Sequence, residues 1–201
     1  DSETFSKNYP VNTTDSLGNT THYNYNNSTG TLSSVTDPKG TTTSYTYNEN
    51  TNALTSVTSG NSTVTYTYED DRVSTISSGT TTYTFTYDDA GFTESVQAGT
   101  RTLITNNYDP VKGTLSGSVY GNGDVVNYDY DSLGRIKRTF YEGDNDLPTY
   151  EYVYDTAGNL ALVRDNDQNT TLRYFYDLSG RLVRTEHSDG LVVSYSYDEF
   201  N

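Results

Sequence analysis

Tyr130-Asp131-Ser132-Leu133-Gly134-Arg135-Ile136 is restated twice before the chain ends, as Tyr154-Asp155-Thr156-Ala157-Gly158-Asn159-Leu160 and as Tyr176-Asp177-Leu178-Ser179-Gly180-Arg181-Leu182. Each copy follows a second tyrosine two residues upstream, at Tyr128, Tyr152 and Tyr174. Outward from these copies, the second tyrosine of a pair or its equivalent falls at 25, 47, 68, 87, 108, 130, 154, 176 and 197, with a mean interval of about 21.5 residues. A period near twenty, held through nine positions, denotes a tandem array of one supersecondary unit.

Within a unit, the first strand carries aromatics at alternate positions among threonines, as in Thr63-Val64-Thr65-Tyr66-Thr67-Tyr68 and Thr82-Tyr83-Thr84-Phe85-Thr86-Tyr87. Residues two apart share a strand face, so aromatics line one side and threonines the other. The following Asp-x-x-Gly, at Asp131 to Gly134, Asp155 to Gly158 and Asp177 to Gly180, matches a type I turn whose Asp side chain bonds backbone amides ahead of it. The return strand opens on an apolar residue and carries another three or four places on: Leu54 and Val57, Val73 and Ile76, Phe92 and Val96, Leu160 and Val163. Three is an odd spacing, which requires either a bulge or apolar residues on both faces. A second turn rich in Gly, Asn or Asp leads onward, for example Asp37-Pro38-Lys39-Gly40, Gly121-Asn122-Gly123 and Glu142-Gly143-Asp144-Asn145-Asp146. The expected fold is all-β: tandem hairpins of about 21–22 residues forming a continuous antiparallel meander. Residues 1–201 are expected to be a single array segment of about eight repeats, without capping repeats, cut from a larger protein. Early units depart most from the repeat, with no turn glycine after Tyr47 or Tyr68.

Composition limits the core and the partners. Leu, Val, Ile and Phe make up about 18% of the chain and the net charge is −15, a combination that alone suggests disorder. The 21 tyrosines oppose this, because each buries substantial area if its hydroxyl finds a partner. The expectation is a folded chain with a thin, tyrosine-rich apolar face. The acidic balance disfavours nucleic acid, which needs clustered Lys and Arg, and disfavours an anionic membrane surface. No stretch reaches the length of a membrane span, and cysteine is absent, which removes disulfides and thiolate metal sites. Nine of the twelve basic residues lie in 101–201, several just after the Asp-x-x-Gly turns, among them Arg135 and Arg181.

Tyr-Asp-x-x-Gly-Arg-Leu at this period resembles the YD repeat of the Rhs family, which includes bacterial polymorphic toxins, wall-associated proteins, toxin-complex shell subunits and animal teneurins. The resemblance spans essentially the whole chain and is strongest from Tyr128 to Tyr197. It implies a sheet that spirals through hairpin after hairpin to wall a hollow shell, which in toxin members surrounds a C-terminal effector. It also implies a secreted or cell-surface bacterial protein, with the rest of the same protein and its effector as partners. Family toxins end their repeats with an Asp-Pro-x-Gly core motif. Here Asp37-Pro38-Lys39-Gly40 and Asp109-Pro110 are mid-array turn sequences, so toxicity is not assigned to these residues.

No catalytic constellation emerges, and the chain is expected to be non-enzymatic and without cofactors. His187-Ser188-Asp189 sets three catalytic residue types side by side, but a triad is defined by converging geometry and these read as a turn. His22 reads as a solvent-facing strand residue, and two histidines without cysteine do not make a zinc site. Asp165-Asn166-Asp167-Gln168-Asn169 and Asp144-Asn145-Asp146 resemble the start of a calcium loop yet lack its glycine and distal glutamate, so they read as ordinary Asx-rich turns, with weak surface calcium binding as the alternative. Adjacent acids such as Asp70-Asp71 and Asp88-Asp89 read as solvated turns. Tyrosine faces beside polar groups also suit sugar rings, so the alternative reading is an adhesin segment that binds carbohydrate. The unpaired edge strands predict self-association of the isolated chain.

Overall fold

The computed structural model describes residues 2–6, 9–141 and 148–198, which form nineteen β-strands and no helix. The chain divides into two compact units, Asp1–Asp88 with Ser95–Arg101, and Asp89–Glu94 with Thr102–Asn201. The first contains β1 (Ser2–Ser6), β2 (Tyr9–Thr14), β3 (Thr20–Tyr25), β4 (Leu32–Thr36), β5 (Thr42–Tyr47), β6 (Leu54–Ser59), β7 (Ser62–Glu69), β8 (Arg72–Ser78), β9 (Thr81–Tyr87) and most of β10 (Thr93–Ala98). The second contains β11 (Arg101–Tyr108) save its first residue, β12 (Leu115–Tyr120), β13 (Val125–Tyr130), β14 (Ile136–Tyr141), β15 (Tyr150–Tyr154), β16 (Leu160–Asp165), β17 (Thr170–Tyr176), β18 (Leu182–His187) and β19 (Val192–Ser194). Each strand from β1 to β9, and each from β11 to β19, pairs antiparallel with the next. Each unit is thus a meander of hairpins, as the period implied.

The odd apolar spacing resolves as a bulge. In β5–β6, Tyr45 faces Val57 and Tyr47 faces Leu54, with the register shifting between Thr46 and Tyr47. Thr55 is the extra residue, and its insertion returns Leu54 and Val57 to one face, opposite the tyrosine pair. The same shift occurs at Tyr25, Tyr68, Tyr108, Tyr130, Tyr154 and Tyr176. One hairpin departs from the expected pattern. β10 begins at Thr93, and Phe92, expected to open the return strand, lies just ahead of it.

The opposite face of the first unit is a ladder of hydroxyls: Thr46 bonds Ser56 at 2.7 Å, Thr58 bonds Thr63 at 3.0 Å and Thr67 bonds Thr75 at 2.7 Å. Threonine serves twice here, since its branched Cβ suits a strand and its hydroxyl pairs across it. In the second unit charged groups take over part of this role. Glu151 receives Arg164 at 3.0 Å and Arg138 at 3.5 Å, which accounts for two of the later basic residues. The core is thin. Val126 is the only buried apolar side chain among the described residues, accompanied by Ser118, Thr139 and Thr149. Most tyrosines are half-buried, as a polar-tipped ring requires.

Turns follow the chemistry of their residues. Asp131 Oδ1 accepts the amides of Leu133 and Arg135, and Gly134 donates to the Asp131 carbonyl at a φ of 77°. Where the glycine is missing, other residues take the left-handed conformation: Asn52 has φ 56°, and Asp70 and Asp71 have φ 48° and 62°, the pair of positive values a type I′ hairpin requires. Gly121 answers a different demand. Its amide bonds the Leu103 carbonyl at 2.8 Å, and a Cβ there would overlap the Thr102 carbonyl. The turn expected at 142–146 lies outside the described residues.

Candidate functional site

The repeat motif builds one junction over and over. In seven hairpins the second tyrosine reaches back to the hairpin before it and donates its hydroxyl to the carbonyl of the residue that opens the return strand. Tyr130 bonds Leu115 at 2.8 Å, Tyr154 bonds Ile136 at 2.9 Å, and Tyr176 bonds Leu160 at 2.9 Å. Tyr68, Tyr87, Tyr108 and Tyr197 do likewise with Leu54, Val73, Thr93 and Leu182, at 2.7 to 3.1 Å. A bulge leaves a carbonyl without its ladder partner, and the next tyrosine supplies one. The first tyrosines, Tyr128, Tyr152 and Tyr174, lie two residues back on the same face, opposite Thr139, Val163 and Thr185. Burial raises the phenol pKa of Tyr130, Tyr154 and Tyr176, because removal from water disfavours the charged phenolate.

The turn carboxylates are equally occupied. Asp155 accepts the Asn159 amide at 2.8 Å, and Asp177 accepts the amides of Ser179 and Arg181. These backbone bonds lead the causes that lower the pKa of Asp131, Asp155 and Asp177. Gly158 and Gly180 complete their turns at φ 94° and 78°. Arg135 and Arg181 each return Nε to their own aspartate at 2.8 Å.

The sequence did not reveal what those arginines do next. Each guanidinium lies over the second tyrosine of the following hairpin, Arg135 over Tyr154 at 4.1 Å and Arg181 over Tyr197 at 4.8 Å. The same position, one residue before the bulge carbonyl, places Arg72 over Tyr87 at 5.1 Å and stacks Phe92 on Tyr108 at 4.9 Å. Tyr9 covers Tyr25 in the same way at 5.0 Å. Phe92 is thus a ring cover, not a strand opener. Elsewhere the position holds Thr31, Ala53, Thr114 and Asn159. At Ala53 the strand edge opens into a recess of about 790 Å³ lined by Asn48, Tyr66, Tyr68, Asp70 and Asp71. A smaller recess of about 250 Å³ lies among Tyr9, Tyr23, Tyr25 and the amides of Asn24, Asn26 and Asn27.

The remaining candidates do not converge. His187 Nδ1 pairs with Asp189 at 2.8 Å, while Ser188 Oγ accepts the Thr171 amide at 3.1 Å, so this hydroxyl points to the neighbouring strand. His22 is exposed and its Nδ1 meets Asn12 Oδ1. In the Asp165 to Asn169 turn, Asp165 accepts the Gln168 amide within the turn and Asn166 donates to the Pro148 carbonyl ahead of β15, so both side chains are engaged by the protein itself. No group of three or more His, Cys, Asp or Glu able to hold a metal occurs among the described residues. The stretch Asp144-Asn145-Asp146 lies outside them.

Tandem antiparallel hairpins, from Tyr68 onward latched to the one before by a tyrosine hydroxyl, define a YD-repeat array. A family model described as the teneurin YD-shell matches residues 50–201, and one described as the RHS repeat matches residues 27–59. The chain belongs to the teneurin YD-shell family. Its fold is similar to that of the TcdB2-TccC3 crystal structure, with a TM-score of 0.74 at 13% identity over 96% of this chain and 12% of that one. The Tc holotoxin pore of Photorhabdus luminescens aligns with a TM-score of 0.58 at 17% identity, over 96% of this chain and 14% of that one. TcdB2-TccC3 without its hypervariable C-terminal region gives 0.55 at 14% identity, over 92% and 15%. The chain therefore spans about an eighth of the proteins it resembles. No curated protein matches it.

Proposed function

We propose that the chain is a non-catalytic wall segment of a large secreted or surface-displayed YD-repeat protein, whose shell encloses and helps deliver a C-terminal effector. The observation that supports this most is the internal use of the motif's polar groups. Tyrosine hydroxyls of the repeat satisfy bulge carbonyls, the turn aspartates satisfy turn amides, and the arginines Arg72, Arg135 and Arg181 cover rings. Residues committed in this way hold strands together and do not act on a substrate. On this reading Tyr128, Tyr130, Asp131, Gly134 and Arg135, with their counterparts in the next two repeats, are the structural motif of the array, and 1–201 is one segment of it.

The test is intact mass and peptide mapping on the parent protein, purified without denaturant from the medium or cell wall of its source. A cleaved, non-repeat C-terminal fragment that co-purifies with the repeats is expected. A single uncleaved chain would overturn the cargo reading. A second reading, a carbohydrate-binding adhesin segment, draws on the recess where Tyr9, Tyr23 and Tyr25 meet three asparagines, since rings beside amides suit sugars. A glycan screen with the chain tests it, and Tyr9→Ala is expected to abolish any signal that arises there.

A further inference from the structure

The cover position shows what an open tyrosine ring of this array takes. In three hairpins a guanidinium from the preceding hairpin lies over the second tyrosine, at 4.1 to 5.1 Å from the ring centroid. Tyr68 stands in the same place in its own hairpin and makes the same hydroxyl bond, to Leu54, at 2.7 Å. Its cover residue is Ala53, whose single methyl group cannot reach across a ring. Among the described residues no ring or guanidinium contacts Tyr68, and the space above it is the recess of about 790 Å³. Two carboxylates line that recess. Asp70 and Asp71 belong to a turn without Asp-x-x-Gly chemistry, so the amide bonds that occupy Asp131 and Asp177 do not form here. Both are exposed, and neither has a hydrogen-bond or ion-pair partner among the described residues.

We infer that the Tyr68 recess is a binding site for an arginine side chain supplied by another polypeptide, seated where Arg72, Arg135 and Arg181 sit on their own tyrosines. The ring face offers the cation its quadrupole, and Asp70 and Asp71 supply the carboxylate that Asp131 and Asp177 supply to Arg135 and Arg181. Asn48 adds no competing charge, and its Oδ1 is already engaged by the amides of Asn50 and Thr51. A planar guanidinium fits better than an ammonium, because it can stack on the ring and bond a carboxylate at once. The site depends only on residues 48–71 and stands whether or not the array encloses a cargo.

The test is an NMR titration of the 201-residue chain carrying ¹³C-labelled tyrosine. The probes are an acetyl-glycyl-arginyl-glycine amide and the same peptide with citrulline, which keeps the shape and removes the charge. The arginine peptide is expected to shift the Tyr68 ring signals saturably and leave those of Tyr87, already covered by Arg72, in place. The citrulline peptide is expected to bind about tenfold more weakly or less. In Ala53→Arg the Tyr68 signals should move before any peptide is added, and the titration should be lost. Equal response to arginine and citrulline, no response to either, or an unchanged titration in Ala53→Arg would each overturn the inference. Because the citrulline comparison needs only the wild-type chain, a folding defect in the variant does not shield it. A Tyr68 response to a neutral disaccharide but not to arginine would also overturn it and assign the recess to sugars.

Discussion

Tyr154 shows how much one side chain carries. Its hydroxyl bonds the Ile136 carbonyl at 2.9 Å and its ring lies beneath Arg135, so it contributes a bond, apolar area and a cation–π contact to one junction. Tyr154→Phe should cost about 1 kcal/mol, the net value of the hydrogen bond. Tyr154→Ala should cost about 3 kcal/mol, as expected when a packed aromatic is removed. Urea denaturation of the two variants separates the terms, and a Tyr154→Ala chain as stable as wild type would reassign the tyrosines to the surface. Titration follows from the same residues. Tyr130, Tyr154 and Tyr176 have raised pKa values, chiefly from burial, so the fold favours their neutral form. Their contribution is fully present below about pH 10 and is lost as pH rises through the raised values. Asp131, Asp155 and Asp177 have lowered values, led by backbone hydrogen bonds, so the fold favours their charged form. Their contribution is present above about pH 4 and is lost as pH falls through the lowered values. Tm against pH should therefore fall at both ends, and a flat profile below pH 4 would contradict the turn assignment.

At the scale of the hairpin, the turn and the bulge work together. The Asp-x-x-Gly turn starts the return strand, and the bulge a few residues on shifts its register so that two apolar residues at odd spacing, such as Leu160 and Val163, share the tyrosine face. Gly134 has φ 77° with open space around the missing Cβ, so Gly134→Ala meets backbone strain and no clash. A loss of roughly 1–2 kcal/mol is expected, read as a shift in urea midpoint. Gly134→Asn should recover part of it, since Asn tolerates this conformation, as Asn52 does at φ 56° in an earlier turn.

At the scale of the molecule, strands touch mainly their neighbours in sequence, so stability accumulates hairpin by hairpin. Among the described residues β19 pairs with β18 alone, which leaves backbone groups open along its other side. Exposed Val192 and Val193 add apolar surface to that strand. The chain studied by itself should self-associate with rising concentration through such edges. Light scattering that stays monomeric at high concentration would count against an open edge.

Strand positions, hairpin order and turn chemistry were legible in the sequence, because they depend on local periodicities: aromatics two apart, Asp three before Gly, and the whole at about 21.5 residues. The face assignment of Leu54 and Val57 was not, since an odd spacing admits two arrangements until the partner strand is present. The covers Arg72, Arg135 and Arg181 were visible as residues but not as covers, because the ring each one meets lies about 15 to 19 residues onward in the next hairpin. The Tyr68 recess was hidden for the same reason. Ala53 is an ordinary alanine until the fold sets it over a ring that its neighbours' counterparts cover, and Asp70 and Asp71 are ordinary turn acids until that ring lies beside them. Short-range chemistry is written along the chain. Which side chain meets which depends on contacts between hairpins, and only the tertiary structure decides those.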